Sequence, residues 1–114
     1  MTPTPLELAI LEAYHHVFAD RGFPRVEDIE VTDRQNSGAG RFVGLQSAAT
    51  IMINERTCDV PFHVKMDGIE NYLGFVLFLK DGRLDFLEMF TYVGSWDGEE
   101  RPWRLVPNSE LDDA

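Results

Sequence analysis

Four residues of this chain have the side chains to bind or act on a polar ligand: Arg34, Arg41, Glu88 and Tyr92. Glu88 is the sharpest of them, because it lies within the apolar stretch Tyr72–Val93. A carboxylate on an apolar face has its charged form disfavoured by desolvation, a condition that general acid–base chemistry uses. A guanidinium beside it reverses that shift, and Arg34 and Arg41 stand at the mouth of the neighbouring strand-like runs. Two expectations follow. Either Glu88 and Arg41 converge on a small molecule in a pocket between helix and sheet, or Glu88 is structural, in an ion pair or reaching the sheet rim.

Other chemistry is poorly supplied. Ser37-Gly38-Ala39-Gly40 resembles a phosphate loop only superficially. The segment after it, Arg41-Phe42-Val43, reads as a strand, so no helix N-terminus is offered to a phosphate. His15 and His16 are adjacent on a helix and splay about 100° apart, and Glu12 with His16 makes at most half a site. Cys58 and His63 could be drawn as nucleophile and base, but Arg56 is the one nearby group that favours a thiolate, and Asp59 opposes it. Ser95 has the wrong spacing for a nucleophile elbow. No metal, no cofactor and no catalytic residue is expected, and the balance leans away from an enzyme.

The elements that must position these groups are punctuated clearly. Thr4, Pro5 and Glu7 form a capping box with proline at the first helical position, and Leu6, Ile10, Ala13, Tyr14, Val17 and Phe18 make one apolar stripe. Gly22 and Pro24 end that helix. Val26–Arg34 alternates like a half-buried strand; Arg41–Leu45 and Phe62–Met66 follow suit, Thr50–Ile53 is ambiguous, and Asn54–Asp59 breaks the pattern. Asp81-Gly82 marks a type I′ hairpin, because both central residues of that turn need positive φ. Its two-residue register sets Leu79 opposite Leu84, Leu77 opposite Phe86, Phe75 opposite Glu88 and Leu73 opposite Phe90. On the other side Val76 meets Leu87, Gly74 meets Met89 and Phe78 meets Asp85. The expected fold is α+β, an N-terminal amphipathic helix packed on a mainly antiparallel, curved β-sheet. One domain over 1–114 is expected, with 110–114 as a frayed tail.

Both faces of the main hairpin are too apolar for a sheet with one wet side. A helix covers one face, which leaves the other for its own chain, a second copy or a partner. Val76, Leu87 and Met89 are the interface candidates there. Trp96 and Trp103 flank the charged loop Asp97–Arg101, either as interface anchors or folded back to seal the sheet edge. Ten basic and twenty acidic residues in 114 give a formal charge of −10, which repels nucleic acid and anionic membranes and steers toward basic proteins. The single Cys58, the lack of a signal-like start and of any bilayer-length apolar run predict a soluble cytoplasmic protein.

Arg34-x-x-Ser37-Gly38-x-Gly40-x-Phe42, the hairpin Gly74–Leu84 and Leu87-Glu88-x-x-Thr91-Tyr92 together resemble a group of uncharacterised small bacterial proteins. That group carries an Arg-x-x-(Ser/Thr)-Gly-x-Gly-x-Phe stretch and a hairpin ending in Leu-Glu-x-x-Thr-Tyr. The resemblance implies a compact α+β domain, in some cases encoded near toxin-immunity systems, and makes Arg34, Gly38, Gly40, Glu88 and Tyr92 the positions to test. The leading expectation is a small acidic protein-binding domain, of the kind an immunity-type inhibitor of a basic partner would be. The alternatives are the small-molecule binder or enzyme around Glu88 and Arg41, and a homodimeric domain without catalytic activity.

Overall fold

In the computed structural model, which describes residues 1–113, one N-terminal helix packs on an open, curved, antiparallel sheet of seven strands. Helix α1 spans Pro5–Phe18 and passes into a 3-10 turn, Ala19–Arg21, closed by Gly22 at φ +84°. The capping box forms as its residues dictate: Glu7 N donates to Thr4 Oγ1 and Thr4 N to Glu7 Oε1. The strands are β1 Glu30–Asn36, β2 Gly40–Gln46, β3 Thr57–Cys58, β4 Phe62–Met66, β5 Leu73–Lys80, β6 Arg83–Thr91 and β7 Trp103–Pro107. Their order is β1-β2-β6-β5-β4-β7, with the short β3 also pairing β5.

Several local expectations shift. The apolar stripe of α1 buries Leu6, Ile10, Leu11 and Tyr14, while Val17 stays exposed. Val26–Asp28 is a 3-10 turn, so the strand expected from Val26 begins at Glu30. Thr50–Ile53 forms no strand; Ile51 and Ile53 are single buried anchors, and Ile51 N donates to Gly82 O. The break expected at Asn54–Asp59 contains β3. The end of the chain, expected to fray, winds as a 3-10 helix over Asn108–Asp113; Ala114 lies outside the described residues.

The Asp81-Gly82 turn forms as read, with φ +54° and +76° and Leu79 paired with Leu84. One step later the register departs from the expectation. A bulge in β6 leaves Asp85 without a partner, and from there Phe78 pairs with Phe86, Leu77 with Leu87, Val76 with Glu88, Phe75 with Met89, Gly74 with Phe90 and Leu73 with Thr91. The pairing of Phe75 with Glu88, and every facial assignment built on it, is therefore corrected. The physical reason is the carboxylate. An unbroken ladder puts Glu88 among Leu73, Leu77 and Leu79 under the helix, where an unpaired charge costs several kcal/mol. The extra residue turns Leu87 and Met89 inward instead and leaves Glu88 half-buried on the outer face.

Candidate functional site

The inner face of the sheet carries a closed cluster of charge beneath the first turn of α1. Glu7 is 0% exposed and Arg41 3%. The Glu7 carboxylate is filled on all sides: Oε1 accepts from Thr4 N at 3.0 Å and Arg34 Nη2 at 2.6 Å, and Oε2 from Arg34 Nε at 2.7 Å and Arg41 Nη1 at 3.0 Å. Arg41 Nη1 also reaches Glu100 Oε2 at 2.6 Å, Nε donates to Asn36 Oδ1 at 2.9 Å, and Nη2 donates to the Gly98 carbonyl. Its guanidinium lies 4.8 Å from the centroid of the buried Trp96 ring, a cation–π contact. Glu100 Oε1 accepts from Leu6 N at the start of the helix. Two arginines thus balance two acids, and among the described residues no buried side-chain nitrogen or oxygen lacks a partner.

Burial alone raises the Glu7 carboxyl, but the Arg34 hydrogen bonds, the Thr4 N–H and the two guanidinium charges outweigh it and hold it below the usual carboxylate range. The Glu7 carboxylate in turn raises Arg34. At the centre of the cluster, the Glu7 carboxylate and the Arg41 guanidinium are buried and bonded to one another, so neither is presented to a ligand. The cluster is a clasp, joining α1, β1, β2 and the loop between β6 and β7. The Ser37–Gly40 turn holds both that loop and the end of β6, its carbonyls accepting from Trp96 N and Thr91 N respectively. Gly40 is required there, since a Cβ would sit 2.0 Å from the Met89 carbonyl oxygen. The glycine stretch therefore serves backbone approach and not a phosphate.

Arg34 and Arg41 meet, as the sequence suggested, but with Glu7 and Glu100; Glu88 lies on the opposite face, so Glu88 and Arg41 do not converge on a pocket. Leu87 and Met89, expected as interface residues, are buried in the core; of the two readings of Trp96 and Trp103, folding back fits, with Trp96 buried and Trp103 half-buried against the core. Val76 remains on the outer face. Cys58 is buried, and burial, with Asp59 and Glu55 adding to it, pushes its thiol up to about 12, far from a nucleophilic thiolate. His63 is not beside it in function: its ring bonds Tyr92 and Asn108. Among the described residues no group of three or more His, Cys, Asp or Glu could hold a metal ion, and no helix is long and apolar enough to cross a membrane.

The outer face is different. Phe42, Phe86 and Phe78 form a continuous aromatic row across β2, β6 and β5, with ring centroids 6.1 Å and then 4.3 Å apart, the second pair stacked. Phe42 is 39% exposed. Glu88 pairs with Phe42 on one side and Val76 on the other. Asp33 and Asp85 line a shallow cavity of about 420 Å³ together with Phe42 and Phe86. Sequence reasoning missed Glu7, Glu100 and this row. Glu7 was legible in principle, because with Leu11, Tyr14 and Phe18 it repeats at the helical period on the apolar side. A larger cavity, about 840 Å³, opens between residues 50–56 and the β5–β6 turn, but Glu55, Arg56, Lys80 and Asp81 around it are all exposed to solvent. Compared with family models, with curated proteins and with solved structures, the chain finds no match in any of the three.

Proposed function

We propose that this chain is a small acidic protein-binding domain that meets a basic partner through the outer face of its sheet, as an immunity-type inhibitor would. The observation that carries the reading is the aromatic row Phe42–Phe86–Phe78, left uncovered by α1 and bordered by Asp33, Asp85 and Glu88. Rigid aromatic rings supply contact area at low entropic cost, and acids beside them suit an arginine or lysine lying over a ring. The formal charge of −10 steers such a partner in and opposes a second copy of the same chain. A homodimer across this face brings Asp33, Asp85 and Glu88 of one copy toward the same acids of the other. The catalytic alternative gains nothing from the geometry, since its two named groups stand on opposite faces.

The test begins with a partner recovered from the native host at low ionic strength. Its affinity is then measured against salt and against variants. Phe86→Ala is expected to weaken binding by roughly 30-fold, the scale of an interface hot spot. Glu88→Gln is expected to flatten the salt dependence. Affinity that ignores both salt and Phe86 overturns the proposal, and so does a protein that binds no partner and self-associates in light scattering.

A further inference from the structure

On the side away from β6, strand β5 has two partial partners: β3 pairs at Leu77 and Phe78, and β4 at Leu73. Between them Asp59-Val60-Pro61 leaves the sheet in a tight turn closed by Phe62 N to Val60 O, and a cavity of about 330 Å³ opens in the gap. Phe75, Val76, Phe90 and Tyr92 form its walls, with Asp59 and His63 among its polar groups. Gly74 makes this arrangement possible. A Cβ there would stand 2.5 Å from the Phe90 ring and 2.7 Å from the Tyr92 oxygen, so bare backbone is what lets both rings cross the strand. The two rings meet edge to face with centroids 5.4 Å apart.

His63 sets the polarity of the cavity. Its Nδ1 faces Asn108 Oδ1, which only accepts, so Nδ1 carries the hydrogen. In the neutral ring Nε2 is then a bare acceptor, and the Tyr92 hydroxyl, 2.7 Å away, donates to it. The Tyr92 oxygen is left with lone pairs for a ligand. Burial and the Asp59 charge raise the Tyr92 hydroxyl above its ordinary value, so it stays a phenol. Tyr92, Asp59 and the aromatic residues Phe75 and Phe90 line the gap; among the described residues no lysine or arginine does.

We propose that this gap binds a small organic ammonium ion, its N–H groups on Tyr92 and Asp59 and its charge over the aromatic walls. The site lies toward β4, away from the Phe42–Phe86 row, and does not depend on the protein-binding reading.

Titration of the full chain with n-butylammonium chloride, followed by NMR of the His63 and Tyr92 rings, tests it. Saturable shifts with a dissociation constant in the millimolar range are expected, against a sodium chloride control. Uncharged n-butanol is expected to bind at least ~10-fold more weakly, and Asp59→Asn to cost butylammonium a similar factor. Asp59 is exposed in a loop, so this variant keeps the fold. Tyr92→Phe, which keeps the ring and removes the oxygen, is expected to weaken butylammonium and leave butanol unchanged. A lysine peptide that binds more tightly than butylammonium identifies the ammonium as a protein side chain; a weaker one identifies a free amine. Absence of saturation, equal affinity for butanol, or indifference to Asp59→Asn overturns the proposal.

Discussion

The two faces of the sheet handle the same problem in opposite ways. Beneath α1, Glu7, Arg34, Arg41 and Glu100 are largely removed from water, and their charges are neutralised within hydrogen-bonding distance. On the outer face Asp33, Asp85 and Glu88 make no ion pair among the described residues and stay in contact with solvent beside partly exposed rings. A buried charge survives only when all its valences are met, whereas a half-exposed one can remain available. The covered face is therefore where the fold is held, and the uncovered face is where the proposed partner would bind.

The largest effect that tests this contrast is expected at Glu7. Glu7→Ala strips the buried Arg41 and the partly exposed Arg34 of their shared acceptor and removes half of the capping box. A loss of about 3–5 kcal/mol, seen as a fall in Tm of roughly 15 °C or more, is expected by calorimetry. A loss below about 1 kcal/mol would mean that the cluster contributes little. Acid probes the same groups without mutation. The folded Glu7 carboxyl lies below its ordinary value of 4.5, so the unfolded chain binds the proton first as pH falls. Its contribution is fully present above pH ~4.5 and is lost as pH drops through the lowered folded value. Urea midpoints between pH 7 and pH 3 should show that decline, and Glu7→Gln should show less of it.

Residues 86, 87 and 88 sharpen the comparison further, because they are consecutive and face opposite ways. Leu87→Ala is expected to cost about 2–5 kcal/mol by urea denaturation, since Leu87 is fully buried. Phe86→Ala, although it removes a larger side chain, should cost less than half as much, because its ring is partly in water already. The smallest effect belongs to Glu88→Gln, within about 0.5 kcal/mol. The order reverses for Phe86 and Leu87 if β6 has no bulge, so the same three measurements test the register.

Much of the fold was legible. The capping box at Thr4 and Glu7, the Asp81-Gly82 turn and the helix-then-sheet layout each rest on local chemistry that the residues carry with them. The bulge at Asp85 was not legible, because both registers of the hairpin place apolar residues on both faces. Only the cost of burying Glu88 separates them, and that cost exists only once a helix has settled on one face. The site was legible in kind but not in membership. Arg34 and Arg41 were recognised as ion-pair residues, while their partners Glu7 and Glu100 stand 27 to 59 positions away along the chain.

By itself, then, the order of residues determined the turns, the helix start, the acidic balance and the presence of more apolar surface than one helix can cover. Tertiary structure decided which face that helix took, which acid met the arginines and which aromatic rings stayed in water. The reason is range. Caps and turns are fixed by interactions within a few residues, whereas burial and charge pairing depend on what the rest of the chain brings alongside.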